Sequence, residues 1–131
     1  MKEFTINILG SEWTVRICTE EEEPRLKDVS GFTDWTSRLI VVGTMPEDTT
    51  LDYPYTFMRK ILRHEVIHAM MFESGLMDNW EHRDGQDEAV VDWIAIQLPK
   101  LWKVCGEAEG EMMILLLEEK KDDGTGTGSV D

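Results

Sequence analysis

Phe57-Met58-Arg59-Lys60-Ile61-Leu62-Arg63-His64-Glu65-Val66-Ile67-His68-Ala69-Met70-Met71 is the stretch on which the reading of this chain turns. Phe57, Ile61, His64, His68 and Met71 recur at steps of four, three, four and three, which is one stripe along an α-helix. Leu62, Val66, Ala69 and Met70 form a second apolar stripe, so the pattern predicts a helix with most of its girth buried. Its start falls near Asp52, with Pro54 in the first turn, where a missing N–H is not needed. Ser74-Gly75 supplies the stop, because glycine is free to adopt positive φ.

Outward from this helix the period changes. Phe4, Ile6 and Ile8 alternate with Thr5 and Asn7, Gly10-Ser11 breaks the run, and Trp13, Val15 and Ile17 alternate again, which reads as a β-hairpin over 4–18. Glu20–Glu23 ahead of Pro24 reads as a solvated acidic loop. A β-rich stretch follows from about Val29 to Val42, with Gly31 and Asp34 as turn points, and Gly43 to Asp52 is a loop. Beyond Gly75, a loop through Asp78, Asn79 and Gly85 leads to a second helix over about Asp87–Val104. Asp87 and Glu88 suit the positive end of its dipole. Pro99 is expected to kink or split that helix, with a boundary near Leu98. Glu107–Lys121 reads as a last helix carrying Met112, Met113 and Leu115–Leu117. Together these elements predict one α+β domain over 1–121, a small, mostly antiparallel sheet packed on the His64–His68 helix, with a disordered tail over 122–131.

A chain of 131 residues suits one domain, and 41% hydrophobic with 31% charged residues is neither a disordered nor a membrane composition. The longest uninterrupted apolar run, Met112–Leu117, falls far short of the roughly 18 residues of a spanning helix. Met1–Thr5 lacks the basic-then-apolar order of a secretory signal, so none is expected. Thirteen Lys and Arg against 27 Asp and Glu give a net charge of −14. Such a surface repels phosphate backbones and anionic lipids, so neither nucleic acid nor membrane is expected as a partner. Cys18 and Cys105 are far apart and form no CxxC, which predicts reduced thiols and a cytoplasmic setting.

His64-Glu65-Val66-Ile67-His68 is an HExxH motif. At about 100° per residue the two histidines stand about 40° apart, so both imidazoles can close on one metal ion. Glu65 lies about 60° from His68 and about 100° from His64, near enough to reach water beside the metal without being a ligand. Neutral imidazoles bind zinc, the ion lowers the pKa of water to about 7, and a carboxylate takes the proton as that water attacks a carbonyl. Two of the chain's three histidines fall inside the motif. Without a metal, each buried imidazole would need other hydrogen-bond partners. A catalytic zinc needs a third protein ligand. The HExxHxxGxxH continuation is absent, since Met71 and Ser74 stand where glycine and histidine would be. Glu73 falls on the opposite side of the helix from His64. Glu88, His82 and Asp92 remain. Glu88 and Asp92 share a helix face, where one carboxylate can bind the metal and the other accept the outer N–H of a ligand imidazole.

HEVIH followed by Asp87-Glu88-Ala89-Val90-Val91-Asp92 resembles the gluzincin pattern, HExxH with ExxxD about twenty residues later. The resemblance implies His64, His68 and Glu88 as zinc ligands, Glu65 as general base, and Asp92 supporting a ligand histidine. It covers roughly Gly31 to Leu101 and is similar to minimal zincins of the ImmA/IrrE-like kind, often encoded by phages, which implies a zincin-like fold and a bacterial or phage-infected cell. His82 as third ligand would instead give a three-histidine site like that of SprT-type zincins. With Glu88 on zinc, His82, Arg83, Tyr53 or Tyr55 would be free to polarise the carbonyl. By the same resemblance Arg38–Val42 is expected to offer its edge to an extended peptide. Trp93 is expected to be buried beside Asp92, the other tryptophans to be core, and Trp80 to line the cleft. The expected activity is zinc-dependent hydrolysis of a peptide bond in a restricted protein target, with the oligomeric state left open. The alternative is a non-catalytic acidic binding protein, a nucleic-acid mimic or inhibitor, on a zinc-stabilised fold.

Overall fold

A computed structural model describes residues 1–79 and 87–122. Its elements are β1 (Lys2–Ile8), β2 (Ser11–Cys18), β3 (Gly31–Asp34), β4 (Leu39–Gly43), α1 (Pro54–Glu73) and α2 (Glu88–Asp122), with 3-10 turns at Pro24–Leu26 and Met77–Asn79. They fall into two compact units, Met1–Ile96 and Gln97–Asp131. The architecture is α+β with a small mixed sheet.

β1 and β2 form the expected hairpin, with Phe4 opposite Val15 and Ile8 opposite Ser11. Leu9 and Gly10 turn it at φ of 49° and 95°, the positive pair that a two-residue hairpin loop of right-handed twist requires. Asn7 Oδ1 accepts the Gly10 N–H at 2.9 Å and steadies the loop. The sheet order is β1-β2-β4-β3. β2 pairs β4 in parallel, whereas β1–β2 and β3–β4 are antiparallel.

Strand order corrects one expectation. β4 lies between β2 and β3, so its backbone groups are engaged on both sides, and Arg38–Val42 has no edge to offer a peptide. The outer strand on that side is β3. β4 reads as four consecutive buried residues, Leu39–Val42, because both of its faces are covered. Ile40 and Val42 join Ile8, Trp13, Val15 and Ala69 beneath α1. Leu39 and Val41 join Cys18 and Leu26 on the other side.

α1 begins with Pro54 in its first turn and packs Met58, Ile61, Leu62, Val66 and Phe72 on the sheet. It ends as expected: the Ser74 N–H reaches Met70 O at 2.9 Å, and Gly75 follows at φ 81°. α2 departs from expectation, since it runs through Pro99 to Asp122 without the predicted split or a separate last helix. The carbonyl that Pro99 leaves without an N–H is that of Ala95, and Arg63 Nε donates to it at 2.8 Å.

The tryptophans are mostly not core. Trp13 is fully buried, but Trp35, Trp93 and Trp102 are exposed, so burial of Trp93 does not orient Asp92. Cys18 is a buried free thiol, as expected. His82, Arg83, Trp80, Gly85 and the tail beyond Asp122 lie outside the described residues, as does the side chain of Cys105. Among the described residues, no helix is long and apolar enough to cross a membrane.

Candidate metal centre

Two helices build the site. α1 carries His64, Glu65 and His68 within the stretch that packs on the sheet. α2 brings Glu88 and Asp92 in its first turns, and Asp87 sets where that helix starts. Asp87 Oδ1 accepts the Ala89 N–H at 2.9 Å and the Asp87 carbonyl accepts the Val91 N–H at 3.0 Å, an N-cap that leaves Glu88 as the first helical residue.

Three donor groups converge. His64 Nε2 lies 3.1 Å from His68 Nε2, and the Glu88 carboxylate places one oxygen 3.0 Å from each ring. Behind them, His64 Nδ1 lies 3.1 Å from Asp92 Oδ1. An ionised carboxylate only accepts, so His64 carries its proton on Nδ1 and, as a neutral ring, turns a bare Nε2 toward Glu88. Two acceptors at 3.0 Å repel unless a proton or a cation lies between them. Two imidazole nitrogens and a carboxylate oxygen form the donor set of a catalytic zinc site, whose ligand atoms stand about 3.3 Å apart for bonds of about 2.05 Å. The spacing here is a few tenths of an ångström tighter, a shift that side-chain torsions can absorb. The donors fit a divalent cation.

Asp92 has a second partner in Lys60, whose Nζ lies 2.6 Å from the same Oδ1. That hydrogen bond, and then the one to His64, hold the Asp92 carboxyl below its ordinary range. Burial lowers the pKa of His68 and so favours the neutral, ligating form of its ring, against the pull of Glu88.

Among the described residues Glu65 is the one buried charged group, 7% exposed. Thr33 Oγ1 on β3 stands 3.0 Å from both Glu65 Oε1 and the Glu65 carbonyl. Burial pushes the Glu65 carboxyl up, with the Thr33 hydrogen bond and His64 working against it. Gly31 permits the close approach: a Cβ there would stand 2.8 Å from both Ile61 Cγ2 and the Val41 carbonyl, and 3.5 Å from Glu65 Cγ. Neither Thr33, Gly31 nor Lys60 carries a local sequence signal for this role, since each arrives by tertiary packing.

The structure therefore brings together His64, Glu65, His68, Glu88 and Asp92. Glu73 lies elsewhere, as the helix geometry requires, and accepts from Trp13 Nε1 at 2.8 Å and Arg38 Nε at 2.6 Å. Tyr53 and Tyr55 sit exposed at the start of α1 and are not part of the cleft lining. That cleft, of about 380 Å³, is lined by the two histidines, Glu65 and Glu88 together with Gly31, Phe32, Thr33, Trp35, Phe72 and Met77.

β3 borders the cleft as an edge strand. The Gly43 N–H bonds to the Ser30 carbonyl at 2.8 Å. By antiparallel alternation Phe32 and Asp34 then face β4, while Gly31 and Thr33 turn their N–H and C=O outward. No protein-family model, no curated protein and no solved structure matches this chain.

Proposed function

We propose that this chain is a metal-dependent peptidase that cleaves a restricted protein target, with a zincin-like arrangement of the gluzincin type. One observation carries the reading: His64 Nε2, His68 Nε2 and the Glu88 carboxylate converge within 3.0–3.1 Å, with Asp92 behind His64 and a buried Glu65 whose carboxylate lies within 4.8 Å of both rings. His64, His68 and Glu88 would hold zinc or another divalent cation. When bound, such an ion supplies Lewis acidity, bringing the pKa of water to about 7 and polarising a carbonyl. Asp92 holds His64 in the tautomer that leaves Nε2 free to ligate. Glu65 takes a proton from the attacking water and passes it to the leaving amine, and its burial raises its basicity toward that task. Thr33 keeps the carboxylate aimed into the cleft. The outward N–H and C=O groups of Gly31 and Thr33 pair with an extended peptide, in the place expected of Arg38–Val42.

The test is cleavage of a degenerate peptide mixture by the zinc-loaded protein, read by mass spectrometry, beside Glu65→Gln. The variant should keep its metal and lose cleavage by at least roughly 100-fold, the lower end of what a positioned proton-transfer group contributes. Cleavage that persists in the variant would remove Glu65 from the role. The acidic-binder reading expects binding of a basic protein that survives the same substitution.

A further inference from the structure

Beside the His64–His68 cluster the lining of the cleft is aromatic and held in place. Trp35 packs on Phe72 with ring centroids 5.2 Å apart and 34° between planes. Phe72 in turn meets the fully buried Trp13 edge-on at 6.2 Å. The turn that carries Trp35 is fixed at both ends. Asp34 Oδ1 accepts the Thr36 N–H at 3.1 Å, and Arg38, at φ 50°, is tied to Glu73. Trp35 nevertheless leaves 48% of its surface open. A large indole rigidly mounted and half bare, on the rim of a cleft, is a surface for another apolar group.

Its position just past the end of β3 says which group. Thr33 touches Glu65, and Trp35 follows two residues later, in the turn beyond β3, where it lines the same cleft. A peptide paired to the β3 edge advances about 3.3 Å per residue and alternates faces, so its next side chain on the Thr33 side, two residues on, passes the end of the strand where Trp35 stands. Resting on the peptidase reading above, we propose that the Trp35–Phe72 wall selects peptides with a large apolar, best aromatic, side chain two residues from the bond that is cut.

The experiment compares paired peptides that differ only at that position, Phe against Lys, built on whichever sequence the zinc-loaded protein cleaves in a degenerate mixture. The wild type should favour Phe by roughly tenfold or more in kcat/KM, the scale at which an apolar pocket discriminates. Trp35→Ala should bring the ratio to within about twofold, and Trp35→Phe, which keeps a ring on Phe72, should restore most of it. Cleavage with no preference, or a preference that survives Trp35→Ala, overturns the inference and leaves the peptidase standing. No cleavage of any peptide beyond that of Glu65→Gln overturns both.

Discussion

Glu88 and His82 are rivals for one role, and the site's geometry makes their contributions separable. The Glu88 carboxylate lies 3.0 Å from both Nε2 atoms although its side chain is 70% exposed, so among the described residues the two imidazoles are what holds it. Its removal should cost more than the roughly 10- to 100-fold in metal affinity that follows loss of a group behind a ligand. Glu88→Ala is therefore expected to emerge from dialysis nearly free of zinc, with His82→Ala close to wild type, as read by elemental analysis. The opposite ranking would move the third ligand to His82. At this scale the sequence was informative where chemistry is local: HExxH and the spacing to Glu88 are countable. Thr33 and Lys60 were invisible, because a threonine in a β-rich stretch and a lysine on a helix carry no mark of the side chain they will meet.

Elements add two contacts that position the site, and each makes a prediction. Glu73, at the end of α1, accepts from Arg38, Trp13 and Ser11, and so joins the helix to β2 and to the turn between β3 and β4. The Arg38 hydrogen bond foremost, then those of Trp13 and Ser11, lower its pKa. A carboxyl lowered on folding stabilises the native state above its ordinary pKa of about 4.3 and loses that contribution as pH falls through the lowered value. Glu73→Gln should thus be less stable than wild type at neutral pH, the gap closing as melts are taken below about pH 4. A gap that stays constant would mean the charge contributes nothing. The second contact is Arg63 Nε on the Ala95 carbonyl, 2.8 Å away, which Pro99 leaves unpaired within α2. Arg63→Met should cost about 1.5–3 kcal/mol, the range for a charged donor. In a Pro99→Ala background, where the helix supplies its own N–H, the cost should shrink, and a double-mutant cycle that proves additive would separate the two residues. The sequence marked the proline as a break because it shows the missing N–H and not the guanidinium that compensates. The hairpin and α1 were legible for the converse reason, since periods of two and 3.6 are written in neighbouring residues. Strand order is a long-range property, so nothing local to Arg38–Val42 tells the inner strand β4 from the edge strand β3.

Over the whole molecule, an excess of 14 negative charges makes any bound cation favourable, so a specific site must be told apart from general screening. The candidate ligands come from two helices, and only the folded chain brings His64, His68 and Glu88 together. An ion that binds only this folded arrangement stabilises it by RT ln(1 + [L]/Kd), about 2.7 kcal/mol at 100 times Kd. For a domain of roughly 100 residues each kcal/mol moves the midpoint by about 4–8 °C, so zinc should raise Tm by roughly 10 °C or more, and a chelator should reverse it. Magnesium carries the same charge but demands octahedral oxygen ligands and gives up its water reluctantly. At equal concentration it should shift the midpoint little if imidazoles are the ligands. The same zinc-dependent shift should be mostly lost in Glu88→Ala, where the net charge has barely changed and the site has lost a ligand. Equal stabilisation by the two ions, or an undiminished zinc shift in that variant, would show that the cation answers to the charge of the surface and not to two histidines on one helix and a carboxylate on the next.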